Sequence, residues 1–176
     1  MQLDAKALQS RLTGRRIGCR LHYEQTVDST NRVAMELARG GAPEGTVVLA
    51  DRQTAGRGRL QRSWQSPPGC NLYLSVILRP AIAPHDASQI TLLAGVAVAE
   101  AISAVCPGRV GIKWPNDLLI GGRKVCGILT ETRMATGGID EHGEGGFRSG
   151  TPRDRHIAPG GDGSGAFPGG FAAFTL

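Results

Sequence analysis

The chain has 176 residues, 40% apolar and 20% charged, enough for one globular domain that buries roughly 70% of its unfolded surface. Twenty basic against 15 acidic residues leave a formal charge of +5, which favours anionic partners such as nucleotide, nucleic acid or phosphate without choosing among them. No apolar run approaches the ~18 residues of a membrane helix, and MQLDAKALQS lacks the build of a signal peptide, so a soluble cytoplasmic protein without membrane contact is expected.

A short helix is predicted over 4–12, then a strand over 22–27. Ser29 is placed to cap a helix running to Arg39, with Gly40 or Gly41 as its stop. Strands follow at 46–51 and at Asn71 to Arg79, where Leu72, Leu74, Val76 and Leu78 alternate with Tyr73, Ser75, Ile77 and Arg79 as in a strand with one buried face. Ile90, Leu93, Ala94, Ala97, Val98, Ala101, Ile102 and Val105 recur at helical spacing, so an amphipathic helix is expected over about 84–105, started by Pro84 and Asp86. Strands at 110–114, 117–120 and 124–132 complete the pattern, with Gly121-Gly122 as a hairpin turn.

Near Met134 the chain changes character. All four Phe and 12 of the 26 Gly lie in residues 135–176, and 17 basic against 10 acidic residues in the front become three against five in the tail. Residues 1–134 therefore read as an α/β domain and 135–176 as a disordered or loosely attached Gly/Pro-rich tail. Cys19, Cys70, Cys106 and Cys126 form no CxxC pair, so neither a disulfide framework nor a zinc site is expected. His22, His85, His142 and His156 show no metal or triad spacing.

Three segments carry chemistry. In Val27-Asp28-Ser29-Thr30-Asn31, small polar side chains gather at a predicted helix start, where unpaired N–H groups can hold a polar ligand; ordinary capping is the plainer account of Ser29. The second is Gln53-Thr54-Ala55-Gly56-Arg57-Gly58-Arg59-Leu60-Gln61-Arg62-Ser63-Trp64, with three arginines and no acid. Gly56 and Gly58 allow close backbone approach, Arg57, Arg59 and Arg62 offer forked donors to phosphate or carboxylate, and Trp64 can stack on a base. Such a loop also suits a solvated surface or a nucleic-acid contact. The third is Lys113-Trp114-Pro115-Asn116-Asp117, and one of only three lysines in the chain stands at its head, where an ammonium can meet a carboxylate or phosphate oxygen. Neither GxxxxGK[ST] nor GxGxxG occurs, so neither a P-loop nor a Rossmann turn is expected.

The order STN, QTAGRGRLQRSW, NLYLSVIL, KWPNDLLI and GRKVCGILTE resembles the catalytic domain of biotin protein ligases over about residues 23–132. The resemblance implies a mixed sheet flanked by helices, like the catalytic domains of class II aminoacyl-tRNA synthetases and of biotin and lipoate ligases. It implies that biotin and MgATP give biotinyl-5′-adenylate, from which a lysine of a biotin carboxyl carrier protein takes the biotinyl group. By motif position it assigns biotin to Ser29, Thr30, Asn31, Gln53, Arg57, Gly58, Arg59 and Lys113. Arg59, Arg62, Trp64 and Asn116 go to the nucleotide, and Lys113, Arg57 and Arg59 to catalysis. Asp117 acts through Mg²⁺ or structure, and the metal ligands stay unassigned.

After Met134 the family's next strand, its G-x-G-x-N signature and its β-barrel domain do not follow, so a truncated or frameshifted ligase with reduced stability and ATP-dependent activity is expected. About 28 residues precede STN, too few for a winged-helix domain, and no operator binding is expected. Two other readings stand beside this one. A lipoate or octanoate transfer enzyme would use Lys124 and Cys126, and a nucleic-acid-binding module would use the arginine loop.

Overall fold

A computed structural model describes residues 3–12, 16–82, 86–106, 108–133 and 171–175. In chain order these form α1 (Ala5–Leu12), β1 (Arg20–Val27), α2 (Thr30–Arg39), β2 (Thr46–Gln53), β3 (Tyr73–Leu78), α3 (Ser88–Val105), β4 (Val110–Lys113), β5 (Asp117–Ile120), β6 (Arg123–Gly127), β7 (Leu129–Arg133) and β8 (Phe171–Thr175). The strands make a five-stranded sheet in the order β1-β2-β3-β8-β7 and a three-stranded sheet β4-β5-β6. Among the described residues only β1 and β2 run parallel; the other pairs are antiparallel. This is the mixed α/β architecture expected.

The period-two geometry of β2 and β3 divides the core. Val48 and Ile77 pack with Ala34, Met35 and Ala38 of α2 on one face, while Val47, Leu49 and Val76 meet Leu8 of α1 and Leu21 and Tyr23 of β1 on the other. Both faces of β3 are therefore covered, and the expectation of one buried face is corrected. Tyr73, Ser75 and Ile77 are the deeper set, because α2 lies over them and the Ser75 hydroxyl finds a partner in Thr30 Oγ1 at 2.9 Å.

The expected helix over 84–105 begins at Ser88, and Pro84 falls outside the described residues. Its apolar stripe divides: Ile90 and Ala94 are buried and Val98 and Ile102 half-buried, whereas Leu93, Ala97, Ala101 and Val105 face outward. Glu100 is the one charged residue in this 18-residue helix, which makes it long and apolar enough to cross a membrane by length and composition alone, contrary to expectation. It lies against β4, β5 and β7, with Ile90, Ala94 and Gly95 buried and most of its length exposed.

Two further departures concern strands. The single strand expected over 124–132 is two, β6 and β7, in different sheets. Between them Ile128 turns away from the hairpin: its N–H donates to the Asn116 carbonyl at 2.8 Å and its own carbonyl accepts from Asn116 Nδ2 at 3.2 Å. The tail, expected to lack order, contributes β8 at 171–175, seated between β3 and β7. An apolar FAAFT run meets two strands there that would otherwise carry unpaired edges. The rest of the tail, 135–170 and 176, lies outside the described residues, as does Met134 before it.

Candidate functional site

The first two motifs meet where β2 ends. Gln53, its last residue, sends its side-chain oxygen to the N-terminus of α2, accepting from the Thr30 N–H at 2.8 Å and the Thr30 hydroxyl at 3.1 Å. Gln53 Nε2 donates to Ser66 Oγ at 3.0 Å, and Ser75 Oγ donates to Thr30 Oγ1. All four side chains are buried, so this polar floor is fixed before any ligand arrives. The backbone adds two ties, from the Thr54 N–H to the Val27 carbonyl and from the Ala55 N–H to the Asp28 carbonyl. Ser29 holds the N-cap position in an extended conformation, yet its hydroxyl makes no hydrogen bond to the helix, so the capping account of this residue is set aside.

Asn31 is 2% exposed. Its Nδ2 donates to Glu131 Oε2 at 2.6 Å, which fixes the amide orientation, since a carboxylate only accepts. Asn31 Oδ1 is thereby left buried with no hydrogen-bond partner, an acceptor waiting for a donor. Glu131, in the GILTE segment, was not singled out from the sequence; its pairing spans 100 residues.

The loop from Thr54 to Gln65 closes on itself. Trp64 N–H donates to the Gly56 carbonyl, Gly58 N–H to the Arg62 carbonyl, and Arg57 bridges Ser63. Gly56 is required here, because a Cβ would sit 2.5 Å from the Trp64 carbonyl oxygen and 2.8 Å from Ser66 Oγ. Gly58 faces no comparable obstruction and has an ordinary negative φ, so the sequence argument for a glycine applies to the first position only. The left-handed conformations fall instead on Leu60 and Gln61, at φ 56° and 58°, costly for residues with a Cβ and frequent in ligand-binding loops.

This loop forms one wall of a narrow, partly open cleft of about 40 Å³ lined by Gln53, Arg57, Gly58, Arg59, Trp64, Asn116, Lys124 and Gly127. Arg59 Nη1 donates to Asn116 Oδ1 at 3.2 Å, joining the arginine loop to the KWPND segment. Lys124 pairs with Asp117 Oδ1 at 2.7 Å and lies 4.7 Å over the Trp64 ring. Lys113 ends β4 on the exposed surface, and neither it nor Arg62 lines the cleft; Ser29, Thr30 and Asn31 do not line it either, and Thr30 is joined to it through its hydrogen bonds to Gln53. A larger open groove, about 430 Å³, separates β1 from α2, but it holds Arg20, His22, Glu24 and Glu36 and none of the motif residues.

The basic side chains make the cleft a receptor for an anion. Among the described residues no three or more His, Cys, Asp or Glu side chains gather as a metal site. Burial pushes the Cys126 thiol up to about 11; the Lys124 ammonium pulls the other way and the Asp117 carboxylate adds to the rise. A thiol so disposed is protonated near neutrality and a poor nucleophile, so the cysteine-based acyl-transfer alternative is not favoured.

Comparison with known proteins identifies the family. The model of the biotin/lipoate A/B protein ligase family matches residues 23–147. The bifunctional ligase/repressor BirA of Bacillus spizizenii is 51% identical over 115 residues, covering 65% of this chain and 35% of that protein. The biotin–[acetyl-CoA-carboxylase] ligase of Mycobacterium tuberculosis is 39% identical over 135 residues, covering 73% of this chain and 51% of the other. Among solved structures, the Aquifex aeolicus biotin protein ligase in complex with biotin and ATP is 38% identical at a TM-score of 0.55, covering 64% of this chain and 46% of that one. The chain thus spans between about a third and a half of the relatives it matches. With the family match over most of its length, the chain belongs to the biotin/lipoate A/B protein ligase family.

Proposed function

We propose that this chain activates biotin with ATP to biotinyl-5′-adenylate and passes the biotinyl group to a lysine of a biotin carboxyl carrier protein. The carrying observation is the cleft itself, in which Arg57, Arg59 and Lys124 line a space that also meets Gln53, the residue through which the Thr30, Ser66 and Ser75 hydrogen bonds reach it. A ureido ring needs fixed donors and acceptors, and this floor together with Ser29 and Asn31 supplies them. Attack of a carboxylate on the α-phosphate builds negative charge on phosphorus and on the departing pyrophosphate. Fixed guanidinium groups stabilise that charge without reorganising, and they hold the two anions together against their repulsion. Magnesium enters as part of the MgATP substrate, bound to its phosphates. Trp64 offers a stacking face for the adenine, and closure of the arginine loop would shield the mixed anhydride from water.

Biotin-dependent release of pyrophosphate from ATP, with recovery of biotinyl-adenylate, tests the reading. Arg57→Ala and Arg59→Ala are expected to cut adenylate formation at least about tenfold while shifting the melting temperature little, since both side chains are exposed and both line the cleft. Parallel loss of stability and activity in both variants, or activation of lipoate in preference to biotin, would overturn it.

A further inference from the structure

Lys124 is among the cations of the cleft, yet the resemblance assigns its motif lysine to Lys113, which stands outside. A surface lysine ordinarily extends its ammonium into water. The side chain of Lys124 instead folds back across its own strand, over the bare α-carbon of Gly127, where a Cβ would lie 2.9 Å from both Cε and Nζ. That path delivers the ammonium to Asp117 Oδ1 on one side and the Trp64 ring on the other. A register shift between β5 and β6 sets up the path: Leu118 faces Cys126 and Leu119 faces Lys124, leaving Val125 as the extra residue of a bulge.

We infer that Lys124 grips a phosphate oxygen of the bound nucleotide, and that Asp117 and Trp64 hold its ammonium in place while the cleft is empty. The inference rests on the adenylate-forming reading above. An ammonium has three donors, and Asp117 holds it as an ion pair without taking up a hydrogen bond, so a phosphate oxygen can be taken up beside the carboxylate. Its lack of fixed angular demand suits a phosphate that moves as pyrophosphate departs, in contrast to the forked geometry of Arg57 and Arg59. An aromatic base stacking on Trp64 would displace the ammonium from the ring face toward the phosphates. Base and phosphate recognition are thereby coupled through one side chain.

The test is titration of the full chain with ATP and, separately, with biotin, for the parent, Lys124→Met, Lys124→Arg and Gly127→Ala, with thermal melts alongside. Lys124→Met is expected to weaken ATP binding about ten- to a hundredfold, the worth of one charge-assisted hydrogen bond, and biotin binding less than about twofold. Lys124→Arg should recover most of the loss, and Gly127→Ala, which keeps the charge and displaces it, should weaken ATP in the same direction. ATP binding within about twofold of the parent in Lys124→Met, or equal losses for ATP and biotin, would overturn the inference. A parent that binds ATP but not biotin would overturn the biotin reading and leave the Lys124 comparison standing, whereas a parent that binds no ATP would overturn both.

Discussion

The Arg59 guanidinium donates to Asn116 Oδ1 at 3.2 Å, tying together two segments 57 residues apart in the chain. Asn116 can hold that aim because Ile128 fixes its other end: the amide Nδ2 donates to the Ile128 carbonyl, and the Asn116 carbonyl accepts the Ile128 N–H. Asn116 thus sets where the arginine loop stands before a ligand enters. The contact is exposed and contributes little to folding, so its effect belongs to the site. Asn116→Ala is expected to lower nucleotide affinity roughly three- to tenfold with a melting temperature within about 2–4 °C of the parent. Calorimetric titration with ATP and a thermal melt check both halves, and an unchanged ATP affinity would show that Arg59 needs no such guide.

Gln53 behaves in the opposite way. Its side chain accepts two hydrogen bonds from Thr30 and donates one to Ser66, all in a buried setting. Gln53→Ala strips these at once and leaves the Thr30 N–H and Ser66 without their partner. The cost should be roughly 2–3 kcal/mol, equivalent to a fall of about 5–10 °C in melting temperature for a chain of this length. Biotin affinity should fall with it, since the floor is what presents Thr30. A variant that melts like the parent would mean the floor relaxes or fills with water.

The convergence of STN with the arginine loop was legible because both are short, polar and placed at strand or helix ends, and because the family order fixes their sequence. What remained hidden is non-local. Alternation in 71–79 cannot tell which face a helix will cover, and here α2 covers Tyr73, Ser75 and Ile77. The break at Ile128 interrupts no hydrophobic pattern; it arises from hydrogen bonds to Asn116, 12 residues earlier. Glu131 reads as an outward polar residue of a strand until Asn31, 100 residues away, is placed beside it. The exposure of Lys113 and inward path of Lys124 depend on a bulge and a bare Gly127, neither visible as a motif.

Cys126 links the site to pH. Its folded value, about 11, exceeds the ordinary 9.0, so the folded chain keeps a proton that the unfolded chain releases first. The stability this group contributes is therefore intact below 9.0 and is lost as pH rises through about 11. Chemical denaturation at rising pH should show the parent losing stability in that window and Cys126→Ala losing less. At about pH 8, iodoacetamide should modify the exposed Cys19 and Cys70 well before Cys126. Early alkylation of Cys126 would contradict both the burial argument and the dismissal of a cysteine-based acyl transfer.

The strand β8 gives the last prediction, because it joins two parts of the chain that would otherwise not be paired. Ala173 stands opposite Ile77 of β3 on one side and opposite Glu131 of β7 on the other. If this strand is the bridge, then β7, with its Glu131 to Asn31 bond, is held in the five-stranded sheet through β8. Proline at a central strand position removes a ladder donor and is poorly tolerated, so Ala173→Pro should cost about 2 kcal/mol or more. Amide exchange distinguishes a local from a connected effect: protection should fall together in β3, β7 and β8, and biotin affinity should fall with it as Glu131 loses its station. Unchanged protection at Ile77 and Glu131 would mean that the sheet holds without β8, and that β7 is secured by α3 through the Thr91–Thr130 hydroxyl contact at 2.8 Å.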